Sequence, residues 1–216
     1  AEKARKVEPE KAEKAAAMRK KPEFDGETLT FSSPYDLDLI SRDDRYINRY
    51  INRFKNAKHV VFGKYITTIL GNRNTEKFFG KLKNLESIQG DGILTIQYEV
   101  FSYSKKLKTI IFPKVTKIEK KAFFNCTELT EFSLPLLRKI EPDTFRDCEK
   151  LTEFTTPKVT RIEPGAFLGC KNLKRGKVDP KCIIGDLAFP DEIGFVLNEQ
   201  GILEKPASAT GPELKG

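Results

Sequence analysis

The chain has 216 residues, 38% of them hydrophobic, with 39 basic and 31 acidic side chains and a formal net charge of +8. That length suits one domain with tails, and no run of about 18 apolar residues is present to cross a membrane as a helix. The basic excess favours acidic partners such as nucleic acid, acidic protein tails or anionic lipid, but both signs are mixed almost everywhere, so the leaning is mild.

Residues 1–24 read as a basic low-complexity arm. Over residues 1–21 there are eight basic and four acidic side chains and almost no large apolar ones. Ala, Glu and Lys favour helix, but Pro9 interrupts the run and no apolar stripe asks for burial. Alone in water the arm is expected to be disordered or transiently helical, with Arg19, Lys20 and Lys21 available to an acidic partner or a nucleic acid. It is charged where a leader would need an apolar stretch, so no leader is expected within it.

Residues 25–75 read as an N-terminal cap. Its centre is an amphipathic helix over about residues 42–56, with Ser41 as N-cap and Asp43 and Asp44 in the first turn. Tyr46, Ile47, Tyr50, Ile51 and Phe54 follow the spacing of a buried face, and the helix is expected to cover the open N-terminal end of the repeats at 76–190. Arg45, Arg49 and Arg53 recur at i+4 and form a stripe, either a solvated face or a contact for phosphates or carboxylates. His59 to Phe62 reads as a strand, Lys64 to Leu70 as a further segment, and Gly71-Asn72 as a turn.

Residues 76–190 are a repeat. Phe79, Phe101, Phe123, Phe145, Phe167 and Phe189 recur every 22 residues, and so do Leu85 to Leu173, Ile96 to Ile184, and Cys126, Cys148 and Cys170. A sustained period of this length is the mark of a solenoid. Leu129, Phe132 and Leu134 alternate as a short strand facing a core, and Pro135 ends it because proline cannot donate to a ladder. Ile118, Ile140 and Ile162 belong to a second short extended segment, and the phenylalanines are expected to stack as a spine. Residues 191–216 read as a C-terminal cap and flexible tail.

The unit C-x2-L-x2-F/I-x-L/F/T-P-x-V/L-x2-I-x4-F-x2-C resembles the BspA-like leucine-rich repeats, over about residues 76–190 and most closely over 112–173. The resemblance implies an α/β leucine-rich-repeat solenoid, right-handed, mainly of short β-strands with turns or 3-10 segments, here with an N-terminal helical cap. It also implies adhesion or protein binding at a cell surface or after secretion.

Candidate chemistry is sparse. Cys126, Cys148 and Cys170 sit at identical positions of successive coils and read as buried free thiols, whereas Cys182 lies out of register and is the best candidate for an exposed one. The spacing offers no metal site, the single His59 has no catalytic partner pattern, and no nucleotide or hydrolase motif occurs. No cofactor is expected and the chain reads as non-enzymatic. Lys117, Lys139 and Arg161, with Glu119, Glu141 and Glu163, should form facing basic and acidic stripes that serve solubility. The outward positions of the first strand of each coil are the expected binding face: Lys108, Thr109 and Ile111, then Glu131 and Glu153, then a wholly basic end at Lys174, Arg175 and Lys177. Aromatic residues are absent from it, which argues against base stacking.

The function expected is an interaction or structural subunit of an intracellular assembly that binds a protein partner, with a leaning to an acidic one, through a repeat face and the arm. Two alternatives stand beside it: a cell-surface or secreted adhesin, and an RNA-associated protein using the arm and the Arg45/Arg49/Arg53 stripe, whose binding would weaken steeply with salt.

Overall fold

In the computed structural model, the structure describes Glu13 and residues 21–37, 44–190 and 194–205; Arg19, Lys20, Ser41 and Asp43 lie outside them. From residue 59 onward each coil contributes a strand to one long sheet, turns, and carries a second short strand behind it. Among the described residues the long sheet has ten strands. In spatial order these are β1 (Glu23–Phe24), β2 (Thr28–Phe31), β3 (His59–Phe62), β5 (Ser87–Gln89), β7 (Thr109–Ile111), β9 (Glu131–Ser133), β11 (Glu153–Thr155), β13 (Arg175–Lys177), β16 (Ile202–Glu204) and β15 (Val196–Leu197). Behind it run two three-stranded sheets. One joins β4 (Thr68–Ile69), β6 (Thr95–Ile96) and β8 (Lys117–Ile118), and the other β10 (Lys139–Ile140), β12 (Arg161–Ile162) and β14 (Ile183–Ile184).

From β2 to β13 the long sheet is parallel and in register, as a coil demands, because each turn of the chain places its strand in the same direction. A parallel stack leaves raw edges at both ends, and antiparallel strands close them. At the N-terminal edge β1 pairs with β2 through a turn in which Asp25 Oδ1 accepts from the N–H groups of Glu27 and Thr28, at 2.9 and 2.7 Å. At the other edge β16 folds onto β13 and β15 onto β16. The Asn198 carboxamide oxygen holds that turn by accepting from Gln200 and Ile202 N–H, at 3.0 and 2.9 Å.

The ladder reaches back to Thr28, well before the phenylalanine period begins. The steps from Thr28 to His59 and from His59 to Ser87 are longer than the later 22-residue steps, and each long step contains a helix. Helix α1 (Asp44–Phe54) lies in the expected place, with Phe54 fully buried and Tyr50 and Ile51 packed against the core. Helix α2 (Arg73–Lys81) lies beside it and starts directly after Gly71-Asn72, where the sequence predicts a turn and no helix to follow. Its start is a capping box: Asn72 Oδ1 accepts from Asn74 and Thr75 N–H, while Thr75 Oγ1 accepts from Asn72 N–H. Phe78, Phe79 and Leu82 then supply its buried side.

The core is an aromatic column. Phe101, Phe123, Phe145, Phe167 and Phe189 stack with centroids 5.5, 5.5, 5.6 and 5.2 Å apart and planes within 12° of parallel. Phe79 joins at 4.9 Å in a tilted arrangement. Phe132 and Phe154, from the long sheet, lie 4.2 and 4.6 Å from Phe145 and Phe167. At the next inward position the sheet has Gly176, and a Cβ there would meet the Phe154 ring at 2.4 Å, so the glycine makes room for that ring.

Phe101, Phe123, Phe145, Phe167 and Phe189 are each held in a tight turn that the 22-residue pattern does not announce. Glu99, Lys121, Asp143, Gly165 and Leu187, two residues before the ring, all have positive φ. So do Tyr103, Asn125, Asp147 and Gly169, two residues after it. Within the turn, Phe123 N–H reaches Thr144 O at 3.0 Å and Asn125 N–H reaches Arg146 O at 2.8 Å, tying each coil to the next. The left-handed conformation is costly for residues with a Cβ, and only Gly165 and Gly169 among these positions avoid that cost. Asn and Asp at 125, 143 and 147 were the available sequence signal.

Candidate functional site

The candidate site is the outward face of the long sheet. Strand alternation dictates it: in β9 and β11 the central Phe132 and Phe154 are buried, and the flanking residues are exposed. In-register pairing then turns these positions into rows. One row runs Thr28, His59, Ser87 and Thr109, then Glu131, Glu153 and Arg175, and ends at Glu204. The next runs Thr30, Val61, Gln89, Ile111, Ser133, Thr155, Lys177 and Ile202.

All the residues expected on this face are there. Lys108, Thr109, Ile111, Glu131, Glu153, Lys174 and Arg175 are exposed and Lys177 is half-buried, with its ammonium donating to Gln200 O. Ile111 is 47% exposed, an apolar spot amid polar neighbours. His59 begins β3, and its Nδ1 lies 2.7 Å from Ser87 Oγ. No aromatic side chain stands in either row.

Charge is distributed unevenly along the face. At the N-terminal end the charges are paired: Lys58 with Glu27, and Lys108 with Glu86 at 2.9 Å. These contacts raise the Lys58 pKa and lower that of Glu86. At the C-terminal end Glu131 and Glu153 stand side by side in register, and Lys174 and Arg175 follow on the next strand. Beside them a shallow pocket of about 530 Å³ is lined by Lys171, Lys174, Arg175, Glu204 and Lys205, among others. Lys171, Glu204 and Lys205 were not expected from the sequence; the last two arrive because β16 returns antiparallel from beyond the repeats, which no periodicity announces.

The opposite rim shows the charge ladders. Lys139 bridges Glu141 at 3.1 Å in its own coil and Glu163 at 2.8 Å in the next, and Arg161 also holds Glu163 at 2.8 Å. The two stripes therefore interlock both within and between coils. These cations, Lys139 first, hold the Glu163 carboxyl below its usual range.

The basic segments are only partly in view. Lys21 is exposed, Arg45 and Arg49 lie on α1, and the Arg53 guanidinium sits 5.1 Å over the Phe54 ring. Glu13, an acidic member of the arm, pairs with Lys64 at 2.8 Å.

The cysteines form a buried row. Cys126, Cys148 and Cys170 are free thiols, fully buried, donating to Phe101, Phe123 and Phe145 O at 3.3, 3.4 and 3.1 Å. Burial pushes all three thiols up. Cys182 corrects the expectation of an exposed thiol: it is only 8% exposed, and burial pushes it up to about 11. It follows the turn from Asp179 and directly precedes β14, outside the 22-residue register but inside the core. Among the described residues no group of three or more His, Cys, Asp or Glu is placed to hold a metal ion, and no helix is long and apolar enough to cross a membrane.

No curated protein matches the chain. Two similar solved structures are a leucine rich cell surface protein from Faecalibacterium prausnitzii A2-165 and a leucine rich repeat protein from T. pallidum. Each is 20% identical with a TM-score of 0.44. The first comparison covers 72% of this chain and 45% of the other, so the match spans less than half of that relative's length; the second covers 62% and 78%. A family model, the BspA type leucine rich repeat region, matches six copies over residues 73–193, more than half of the chain. Repeat period, coil geometry and family match coincide, and the chain belongs to the BspA type leucine-rich-repeat family.

Proposed function

We propose that this chain is a non-enzymatic protein-interaction module whose working surface is the outward face of the ten-stranded sheet. The observation that carries the reading is the continuity of that face. Its rows run from β2 to β16 over a core closed behind them, and both sheet edges are already occupied by antiparallel strands. Each of these outermost strands is only two residues long, too short to template an added strand, so a partner docks across the rows. A solenoid suits that work because its sheet fixes the backbone positions of these side chains before the partner arrives, which reduces the entropy lost on binding.

The reading is tested by placing a photocrosslinking residue at Ile111 or Thr155 of the full chain, in the cells that make it. Lys120, exposed on the turn side, is the control. A discrete protein adduct from the face positions and none from Lys120 supports the face. Adducts from Lys120 alone, or from all positions equally, reject it.

The module is read as intracellular on the ground that all four cysteines are free thiols. The cell-surface placement implied by the family resemblance is the second reading. Protease treatment of intact cells decides between them: digestion before lysis places the protein outside, and protection until lysis places it inside.

A further inference from the structure

We propose that the pocket at the C-terminal end of the face, around Lys174 and Arg175, receives carboxylate side chains from an acidic segment of the protein partner. The proposal rests on the face being the binding surface and names the chemistry that surface selects.

The two ends of the face differ in how their charges are met. Where Glu86 and Lys108 meet on successive coils they pair, as do Lys58 and Glu27. Beyond them Lys150 still pairs with Glu128 at 2.8 Å just ahead of the strands, but on the strand rows the pairing stops. Among the described residues, Glu131, Glu153, Lys174 and Arg175 make no ion pair. Glu153 and Arg175 are register partners, and so are Arg175 and Glu204, yet neither couple closes into a bridge. Like charges are set together instead, Glu131 beside Glu153, and Lys171, Lys174, Arg175 and Lys205 around the pocket. Like charges in directly opposed strand positions destabilise a sheet. A partner with carboxylates over the cations and a basic group over Glu131 and Glu153 relieves both repulsions at once, giving specificity through complementary potential.

The same pattern selects against nucleic acid. Glu131, Glu153 and Glu204 flank the cations and repel a continuous phosphate chain, and no aromatic side chain stands on the rows to stack a base. Discrete carboxylates on a peptide meet neither obstacle.

The probe is a fluorescein-labelled decapeptide of alternating Asp and Gly, titrated against the full chain by anisotropy at low and at physiological salt, beside a labelled uridine decamer. The peptide is expected to bind, more weakly as salt rises. The double variant Lys174→Glu/Arg175→Glu should weaken it by about tenfold or more, since two attractive charges become repulsive. The variant Lys114→Glu/Lys158→Glu changes net charge equally at exposed positions away from the pocket, and should weaken it by no more than about twofold. Unchanged melting temperatures show that both variants fold. Equal losses in the two variants, or no peptide binding to the unaltered chain at low salt, overturn the proposal. Tighter binding of the uridine decamer, abolished by the pocket variant, replaces it with a nucleic-acid site. Crosslinks from Ile111 that persist beside any of these results leave the face reading standing and remove only the pocket.

Discussion

Phe145→Ala tests whether the aromatic column holds the coil stack together. The ring is fully buried, with Phe123 5.5 Å away on one side, Phe167 5.6 Å on the other, and Phe132 4.2 Å in front. Its coil is tied to both neighbours by the main chain, with Phe123 N–H on Thr144 O at 3.0 Å and Phe145 N–H on Ala166 O at 2.9 Å. Those bonds keep the coils apart at strand spacing, so the space left by the ring cannot close. The full transfer and cavity cost then applies, about 3–5 kcal/mol. Phe189 provides the comparison. It ends the column, is 9% exposed, and touches Phe167 at 5.2 Å and Phe195 at 4.7 Å. With a side open to relaxation, Phe189→Ala should cost nearer about 2–3 kcal/mol. Urea unfolding followed by circular dichroism gives both values. Because each coil contacts only its neighbours, the central variant should also broaden the transition or split it into two steps. A loss below about 1.5 kcal/mol for Phe145→Ala, or one no larger than that of Phe189→Ala, refutes the picture of the column as the main tie.

Three further outcomes are expected. Asp36 is buried with its Oδ2 unpartnered, and burial pushes its carboxyl up to about 6 from 3.8; the folded state thus holds the proton more tightly, and this stability is complete below pH 3.8 and lost as pH rises through about 6. Asp36→Asn should therefore raise stability at pH 7 by about 1–3 kcal/mol and flatten the pH dependence of the melting temperature between pH 4 and 6; an unchanged profile contradicts this. Leu187→Gly should stabilise by about 0.5–1 kcal/mol, since Leu187 is 60% exposed at φ +54° and has little packing to lose. Gly165→Ala should destabilise, because the new Cβ would sit 2.6 Å from Asp143 Oδ1, and paired denaturation curves with the same sign would count against the turn account. All four thiols should resist a water-soluble thiol reagent in the native protein and react together on unfolding, and rapid native labelling of Cys182 would show that its burial is wrong.

The coil was legible in the residue pattern alone. A core shared by stacked turns must present the same kind of side chain at the same step, so Phe, Leu, Ile and Cys recurring every 22 residues specified the inward positions from Phe79 to Phe189. Strand alternation then placed Thr109, Ile111, Glu131, Glu153 and Arg175 on the outward face. Other features depend on contacts that periodicity does not encode. The first steps of the ladder, from Thr28 to Ser87, were hidden because helices α1 and α2 lengthen their coils and break the period, although their strands are in register. The left-handed turns beside Phe101, Phe123, Phe145, Phe167 and Phe189 accept Glu, Lys, Tyr, Leu, Asn, Asp and Gly, because hydrogen bonds to the next coil impose the conformation whatever the residue. Cys182 is buried by packing outside the repeat register. The pocket exists only because β16 returns antiparallel against β13 and brings Glu204 and Lys205 beside Lys174 and Arg175. Periodicity fixes which side chains face inward, since every coil meets the same neighbour; which surface charges pair depends on where the non-repeating segments end, and that is settled by long-range packing.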